Sequence, residues 1–232
     1  MLLLLPGLIC DSRIYAPQLA AFADARAVDG YGNADSLQIM ARIALEFADD
    51  EGPETFDLLG HSMGARVALE VYRLAPARVR RLALMSTGVH GVREGEPAKR
   101  ADLQALGRAE GHEALVDSWL PPMVAPANRA NPAIYAPVRQ MCIDAGQDVF
   151  DAQVRALLAR ADQTSLLPRI ACPALVLTGE RDAWSPPEQH EEIAAAIPDA
   201  ELVIVPGAGH MIQREAPEAV NDAIARWRAR PA

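Results

Sequence analysis

The sequence has few cysteines and no apolar run long enough to cross a membrane. Its three cysteines lie far apart without C-x-x-C spacing, which argues against a disulfide framework or a zinc knuckle and favours a reduced, cytoplasmic setting. The apolar run Leu2–Leu5 is too short for a membrane span and lacks the basic flank of a signal peptide. We therefore interpret it as a strand.

Clustered positive charge is also missing. The chain has 22 basic and 31 acidic residues, a formal net charge of -9, and no run of Lys or Arg, so nucleic acid is not an expected partner. The sequence leaves the oligomeric state open. With 232 residues, half of them hydrophobic, we expect one domain with one sizeable core and room for an insertion.

Short apolar runs bounded by turn residues recur along the chain, and a helical pattern follows each. This alternation predicts an α/β fold with a mostly parallel sheet covered on both faces. A weaker strand at Ala25–Val28, flanked by charges, suits a sheet edge and brings the expected total to about six. The stronger runs are Leu2–Leu5, Phe56–Leu59, Arg81–Met85, Ala174–Leu177 and Leu202–Val205.

Strand-like runs disappear between Gly88 and about Pro168, where helical segments alternate with Pro and Gly. We interpret residues 88–166 as a helical cap inserted into a core formed by residues 1–87 and 167–232. The cap is expected over the carboxyl edge of the sheet, where ligands bind in α/β folds.

The motif Gly60-His61-Ser62-Met63-Gly64 lies between a predicted strand and a predicted helix. A G-x-S-x-G motif in this context predicts a nucleophile elbow, in which glycines permit a sharp turn and the serine is exposed on strained backbone. Ser62 is the candidate nucleophile, and an ordinary turn serine is the alternative.

A serine hydroxyl needs a base, and the base needs a third group that orients it. His210 follows the strand Leu202–Val205 on a glycine-rich loop, and Asp182 follows the strand Ala174–Leu177. The order Ser, Asp, His is the one expected of this type of triad. Glu180 is the rival carboxylate, but Asp182 has the freer approach to His210.

The other histidines are weaker candidates for the base. His61 precedes the nucleophile and should point away from it, and His112 and His190 lie in helical contexts typical of solvated side chains. His90 follows the strand Arg81–Met85, where it has either a pocket-lining role or a capping or surface role.

An oxyanion needs two backbone donors. The N–H of Met63, which follows the nucleophile, is the first, and the loop after Leu2–Leu5 should supply the second from Leu8, with Ile9 as the alternative. A plain Pro-Gly turn remains a competing interpretation of that loop. The candidates for substrate contact are Ile9, His90, Trp119, Met123, Trp184 and Met211. Core packing is the alternative for the two tryptophans and the two methionines.

Four sequence blocks together resemble the α/β-hydrolase superfamily, in family order: LLLLPG, GHSMG, TGERDAWSP and GAGHM. The cap-bearing layout is similar to that of bacterial carboxylesterases and enol-lactonases. Two features depart from the family pattern: Pro6-Gly7 replaces the usual His-Gly at the oxyanion loop, and the β-hairpin that usually comes first is missing, unless the natural start lies upstream of Met1.

The resemblance implies hydrolysis of a small or medium carboxylic ester through an acyl-enzyme, without a metal or organic cofactor. It assigns roles to Leu8, Ser62, Met63, Asp182 and His210. An enol-lactonase, thioesterase or perhydrolase using the same triad is the alternative, and a ligand receptor that kept the fold is a third hypothesis. The sequence does not identify the natural substrate.

Overall fold

The computed structural model describes residues 1–231 and contains one six-stranded sheet in which every neighbouring pair is parallel. This confirms the predicted mostly parallel sheet of about six strands. The weak run near Ala25 forms an edge strand of three residues. The strand order is β2-β1-β3-β4-β5-β6, with β1 at Leu2–Leu5, β2 at Ala25–Ala27, β3 at Phe56–His61, β4 at Val79–Met85, β5 at Ala174–Gly179 and β6 at Ala200–Val205.

Eleven α-helices connect or flank these strands within the described part of the chain. None of them is long and apolar enough to cross a membrane. Their bounds are α1 Ala16–Ala21, α2 Leu37–Asp50, α3 Met63–Leu74, α4 Glu96–Glu110, α5 His112–Trp119, α6 Pro126–Arg129, α7 Pro132–Ala145, α8 Gln147–Leu158, α9 Pro187–Ala196, α10 Ile212–Glu215 and α11 Pro217–Arg228.

Helices α4 to α8 all lie between β4 and β5, where the sequence predicted a helical insertion. Within this group α4 packs against α5 and α8, and α5 packs against α7. No strand interrupts residues 86–173. The division into a core and a cap at residues 88–166 remains a proposal.

The central strands are buried along their whole length, which explains their continuous apolar sequences. Every residue of β1, β3 and β5 is buried, as expected when crossover helices cover both faces of a parallel sheet. Trp227 of α11 is among the largest fully buried side chains, and its indole N–H donates to the carbonyl oxygen of Pro173 at 3.1 Å. The last helix is thereby fixed beside the start of β5.

A buried carboxylate lies near the amino end of β3. The side chain of Asp57 is 1% exposed and contacts three guanidinium groups, from Arg81 at 2.9 Å, Arg228 at 3.0 Å and Arg80 at 3.2 Å. Arg228 comes from α11 and the other two from β4, so the cluster ties the end of the chain to two central strands. The loops that carry the candidate triad follow the opposite ends of the strands.

We expect Asp57→Asn to lower the free energy of unfolding by about 3 kcal/mol, because it leaves three guanidinium groups around a neutral amide. Chemical denaturation measures the change. The matched control is Asp49→Asn, whose carboxylate pairs with Arg78 but is 62% exposed, and this variant should change stability by less than about 1 kcal/mol. Equal effects of the two substitutions would contradict a structural role for the Asp57 cluster.

Candidate active site

Ser62 occupies a strained turn between β3 and α3. Its φ of 56° and ψ of -117° lie in a region that residues other than glycine rarely adopt. The flanking glycines allow this turn to pack: a Cβ at Gly60 would overlap the carbonyl oxygen of Gly64, and a Cβ at Gly64 would overlap that of Leu5. The N–H of Ser62 donates to the Met85 carbonyl oxygen at 2.8 Å, which fixes the turn at the carboxyl end of β4.

The structure brings Ser62, His210 and Asp182 together. His210 is 148 positions from Ser62 and 28 positions from Asp182 along the chain. The Oγ atom of Ser62 lies 2.9 Å from Nε2 of His210, and Nδ1 of His210 lies 2.9 Å from Oδ2 of Asp182. His210 is 1% exposed and Asp182 is 2% exposed. The carboxyl ends of β3, β5 and β6 meet at one sheet edge, which is why three distant loops converge.

Asp182 is held as a carboxylate. Burial pushes its pKa upward, but the charge and hydrogen bond of His210 and the N–H of Ser185 outweigh burial and hold the pKa below its ordinary value. The second carboxylate oxygen accepts from the N–H groups of Trp184 at 2.9 Å and Ser185 at 2.8 Å. Since an ionised carboxylate only accepts, Nδ1 of His210 must donate, which leaves Nε2 as an acceptor for the Ser62 hydroxyl.

The backbone of His210 is braced on two sides. Its N–H donates to the carbonyl oxygen of Met123 at 2.8 Å, and its own carbonyl oxygen accepts from Nε2 of His61 at 2.9 Å. Burial lowers the pKa of His61 to about 3, so this ring is neutral at physiological pH and its Nε2 carries the proton that it donates. His61 therefore supports the loop of the candidate base without contributing a charge.

Glu180, the rival carboxylate, faces away from the site: its side chain is about half exposed and accepts from the N–H of Gly207 at 3.0 Å.

The prediction of a solvated His190 is wrong. This ring is fully buried, and its Nε2 accepts from the N–H of Thr87 at 2.9 Å. Helix α9 packs against β5 and β6, so the periodicity around His190 marks a packed helix face.

The first loop (residues 6–11) approaches the elbow closely. A Cβ at Gly7 would lie 3.3 Å from Cβ of Ser62. Among residues 1–231, neither the N–H of Leu8 nor that of Met63 has a hydrogen-bond acceptor. The N–H of Ile9 is engaged, because it donates to Oε1 of Gln153 at 2.7 Å. Leu8 and Met63 are therefore the available donors, and Ile9, the alternative donor from the sequence, is not.

The sequence did not identify Gln153 as a residue that supports the site. It lies on α8, is 1% exposed, and its amide nitrogen donates to the carbonyl oxygen of Gly32 at 3.3 Å. One side chain thus joins the first loop to a helix of the insertion. A further brace is the hydroxyl of Tyr15, which donates to the Leu5 carbonyl oxygen at 2.8 Å. A polar residue on the buried side of an amphipathic helix was the available signal for Gln153.

A cavity of about 450 Å³ opens beside Ser62, which is within the range of small-molecule sites. Of the candidates for substrate contact, His90, Trp119, Met123 and Trp184 line it, together with Leu8 and Met63. Met211 instead borders a much smaller void of about 10 Å³ beside His210. Ile9 lines neither space and is buried within the first loop.

Charged side chains also line this cavity, which sequence reasoning did not foresee. Arg66, one helical turn beyond Ser62, and Arg160, next to α8, are both buried. The helical spacing of Arg66 from the nucleophile was the one available signal. Residues 1–231 contain no group of three or more His, Cys, Asp or Glu side chains arranged to hold a metal.

Comparison with known proteins assigns the family. The model of the alpha/beta hydrolase family matches residues 2–223. The chain belongs to this family. Two curated relatives of this α/β hydrolase are a dihydrolipoyllysine-residue acetyltransferase component of the acetoin cleaving system of Pseudomonas putida, 33% identical over 93% of this chain and 56% of that protein, and the (E)-2-((N-methylformamido)methylene)succinate hydrolase of Acinetobacter baylyi, 26% identical over 97% of this chain and 89% of that protein.

Solved structures have the same architecture as this α/β hydrolase. A thermophilic esterase from Thermogutta terrifontis is 29% identical, with a TM-score of 0.89 over 97% of this chain and 88% of that one. The enol-lactonase from Burkholderia xenovorans has a TM-score of 0.88 at 24% identity, covering 99% of this chain and 91% of that one. At that identity the second likeness extends to the fold alone.

If Ser62 is a nucleophile, we expect Gln153→Leu to slow its reaction with a fluorophosphonate probe by about 10-fold, because the N–H of Ile9 loses its acceptor and the N–H of Leu8, the candidate oxyanion donor, shifts. Removing an oxyanion donor outright costs about 10²- to 10³-fold. The second-order labelling rate is the measurement. Gln147→Leu on the same helix, where the glutamine binds Asp151, is the control, and equal rates for the two variants would exclude a positioning role for Gln153.

Proposed function

We propose that this chain is a serine hydrolase that cleaves a small or medium carboxylic ester through an acyl-enzyme. The observation that carries the proposal is the continuous contact from Ser62 through His210 to Asp182, with both distances at 2.9 Å. In this proposal Ser62 is the nucleophile, His210 the general base and Asp182 the carboxylate that orients the base.

In the first half of the proposed cycle, Oγ of Ser62 attacks the ester carbonyl carbon while Nε2 of His210 takes the hydroxyl proton. The carbonyl π electrons move to oxygen, and the N–H groups of Leu8 and Met63 stabilise that oxyanion. When the intermediate collapses, the C–O bond to the alcohol breaks and His210 returns the proton to the leaving oxygen. The products are the free alcohol and an acyl ester of Ser62.

In the second half, water replaces the alcohol as the reacting oxygen. His210 removes a proton from water, the hydroxide oxygen adds to the acyl carbon, and the same donors hold the oxyanion. Collapse breaks the bond to Oγ, which recovers its proton from His210, and the carboxylic acid leaves. Asp182 accepts from Nδ1 throughout and stabilises the imidazolium without taking its proton.

The relatives support hydrolysis of an ester-like bond. The Thermogutta terrifontis structure is an esterase and shares 29% of its residues with this chain over nearly the whole length of both. The Acinetobacter baylyi relative is also a hydrolase, with coverage of 89% of its length. The Pseudomonas putida relative is nearly twice as long as the matched region, so its whole-protein activity is not carried over.

The inserted helices have the role of a cap in this proposal. Leu103 of α4, Trp119 of α5 and Leu157 of α8 line the cavity beside Ser62, as does Met123 after α5. The insertion therefore supplies much of the apolar wall that an acyl or alkyl group would contact. This contribution supports the assignment of residues 88–166 as a cap that sets substrate size.

A cytoplasmic location is part of the proposal. The thiols of Cys10 and Cys142 are buried and contact each other, and both cysteines are free. Two contacting thiols persist in a reducing compartment such as the cytoplasm. The hydrogen bond with Cys142, together with burial, raises the pKa of Cys10, which keeps this thiol protonated and unreactive.

We expect Ser62→Ala to abolish labelling by a fluorophosphonate probe and to remove measurable turnover in a panel of aryl esters, lactones and thioesters, because it deletes the nucleophilic oxygen. In-gel fluorescence and spectrophotometric assays are the measurements. Ser118→Ala, at an exposed position of α5, is the matched control and should label like the wild type. Labelling that persists in Ser62→Ala would refute the proposed nucleophile.

We expect Asp182→Asn to lower kcat by about 10⁴-fold, because an amide does not stabilise the imidazolium and favours the wrong tautomer of His210. Steady-state kinetics on the best ester of the panel is the measurement. Glu180→Gln is the control, since Glu180 binds the N–H of Gly207 instead of His210, and its kcat should change less than about threefold. A larger loss in Glu180→Gln than in Asp182→Asn would reverse the assignment of the acid.

A further inference from the structure

Arg66 is a buried cation in the wall of the candidate active site. It is only 6% exposed and lines the same cavity as Ser62. Ser62 directly precedes α3, and Arg66 comes four positions after it, which corresponds to about one helical turn and a rise of about 6 Å. Long side chains on a helix lean toward its amino end, and the amino end of α3 is where Ser62 lies.

The guanidinium of Arg66 lacks a carboxylate partner. Among residues 1–231 its one hydrogen-bond acceptor is the carbonyl oxygen of His90, at 2.9 Å from Nη1. Burial lowers the pKa of Arg66 to about 9, and the nearby charge of Arg160 adds to this effect. The group is still protonated at neutral pH, and the charges of Glu96 and Asp162 offset it only in part, since neither carboxylate is hydrogen-bonded to it. Such a charge is costly unless a counter-ion or ligand completes its environment.

The carboxylates near Arg66 are engaged elsewhere. Glu70, one turn further along α3, binds Arg73 at 2.7 Å and accepts from the amide of Gln163 at 3.1 Å. Glu96 accepts from Arg100 at 2.8 Å and from Arg160 at 2.6 Å. Two guanidinium groups therefore share one carboxylate there, which leaves the region with excess positive charge.

The charge of the whole cavity wall points the same way. Two acidic side chains, Glu94 and Glu96, oppose five basic ones in the lining: Arg66, Arg93, Lys99, Arg100 and Arg160. The complete chain has a formal net charge of -9. The excess positive charge of the lining attracts an anionic ligand locally, although the protein as a whole is negatively charged.

We propose that Arg66 is a substrate-binding residue and that the natural substrate is an ester or lactone that carries a free carboxylate. The remaining N–H groups of the guanidinium bind the carboxylate while the scissile carbonyl lies at Ser62. A planar guanidinium matches a carboxylate through two parallel hydrogen bonds. This inference rests on the proposed function, because it places the acyl-transfer chemistry at Ser62.

The test uses two pairs of chromogenic esters that differ in one group. The first pair is the para-nitrophenyl monoester of succinic acid and para-nitrophenyl levulinate, in which a methyl ketone replaces the carboxylate on the acyl side. The second pair is para-carboxyphenyl acetate and para-acetylphenyl acetate, which make the same change on the alcohol side. The wild type is expected to prefer the carboxylate member of at least one pair in kcat/KM.

We expect Arg66→Gln to lower kcat/KM for that carboxylate ester by about 10- to 100-fold, the range of a lost charge-assisted hydrogen bond. The kcat/KM for the neutral partner should change less than about threefold, because its ketone group does not form an ion pair with the guanidinium. Arg66→Lys keeps the positive charge but not the planar guanidinium, and it should give an intermediate loss of kcat/KM for the carboxylate ester. If Arg66→Gln does not fold, Arg66→Lys is the variant that tests the proposal. Arg42→Gln, at an exposed position of α2, should leave both esters unchanged.

The outcomes separate this inference from the proposed function. An equal loss on both members of each pair would overturn the carboxylate site and leave Ser62 as the nucleophile, since Arg66 would then only support the His90 loop. The absence of a wild-type preference in both pairs would also overturn it. Turnover that does not depend on Ser62 would instead refute the proposed function.

A binding measurement tests the site without turnover. Glutarate, a dicarboxylate that cannot react, should raise the Tm of the Ser62→Ala protein measurably more than the same concentration of its neutral diamide. The shift should disappear in Ser62→Ala with Arg66→Gln and persist in Ser62→Ala with Arg42→Gln. A glutarate shift that is independent of Arg66 would overturn the proposal.

Discussion

The strained turn at Ser62 is the constraint on which the other features of the site depend. A non-glycine residue with a φ of 56° persists only where the surroundings leave no alternative. Here β3 ends, α3 begins, and two glycines let three backbone segments meet without Cβ atoms between them. The turn gives the serine oxygen a fixed direction, and His210 and the first loop are positioned around that direction.

Stability and chemistry are separated along the strands. The Asp57 cluster and the burial of Trp227 fasten the amino side of the sheet and the last helix. The strained turn and the guanidinium of Arg66, which forms no ion pair within residues 1–231, lie at the carboxyl side. Functional sites commonly hold unfavourable features that the rest of the fold offsets. The parallel sheet allows this division because all its strands end at the same edge.

Much of this architecture follows from local sequence patterns. Continuous apolar runs predicted the sheet, and G-x-S-x-G between a strand and a helix predicted the turn at Ser62, because both depend on neighbouring residues. His190 was misjudged because helical periodicity does not reveal which face of a helix is covered. Gln153 and Arg66 were missed for a related reason: their significance depends on the first loop and on carboxylates distant in the chain, and only the folded structure shows those relations.

The hydrogen bond from Ile9 to Gln153 couples the position of the first loop to that of α8, a helix of the insertion. If α8 swings outward, the amide of Ile9 loses its acceptor and the loop that carries Leu8 relaxes with it. A substitution that displaces α8 would therefore alter the backbone beside Ser62 without changing any residue of the first loop.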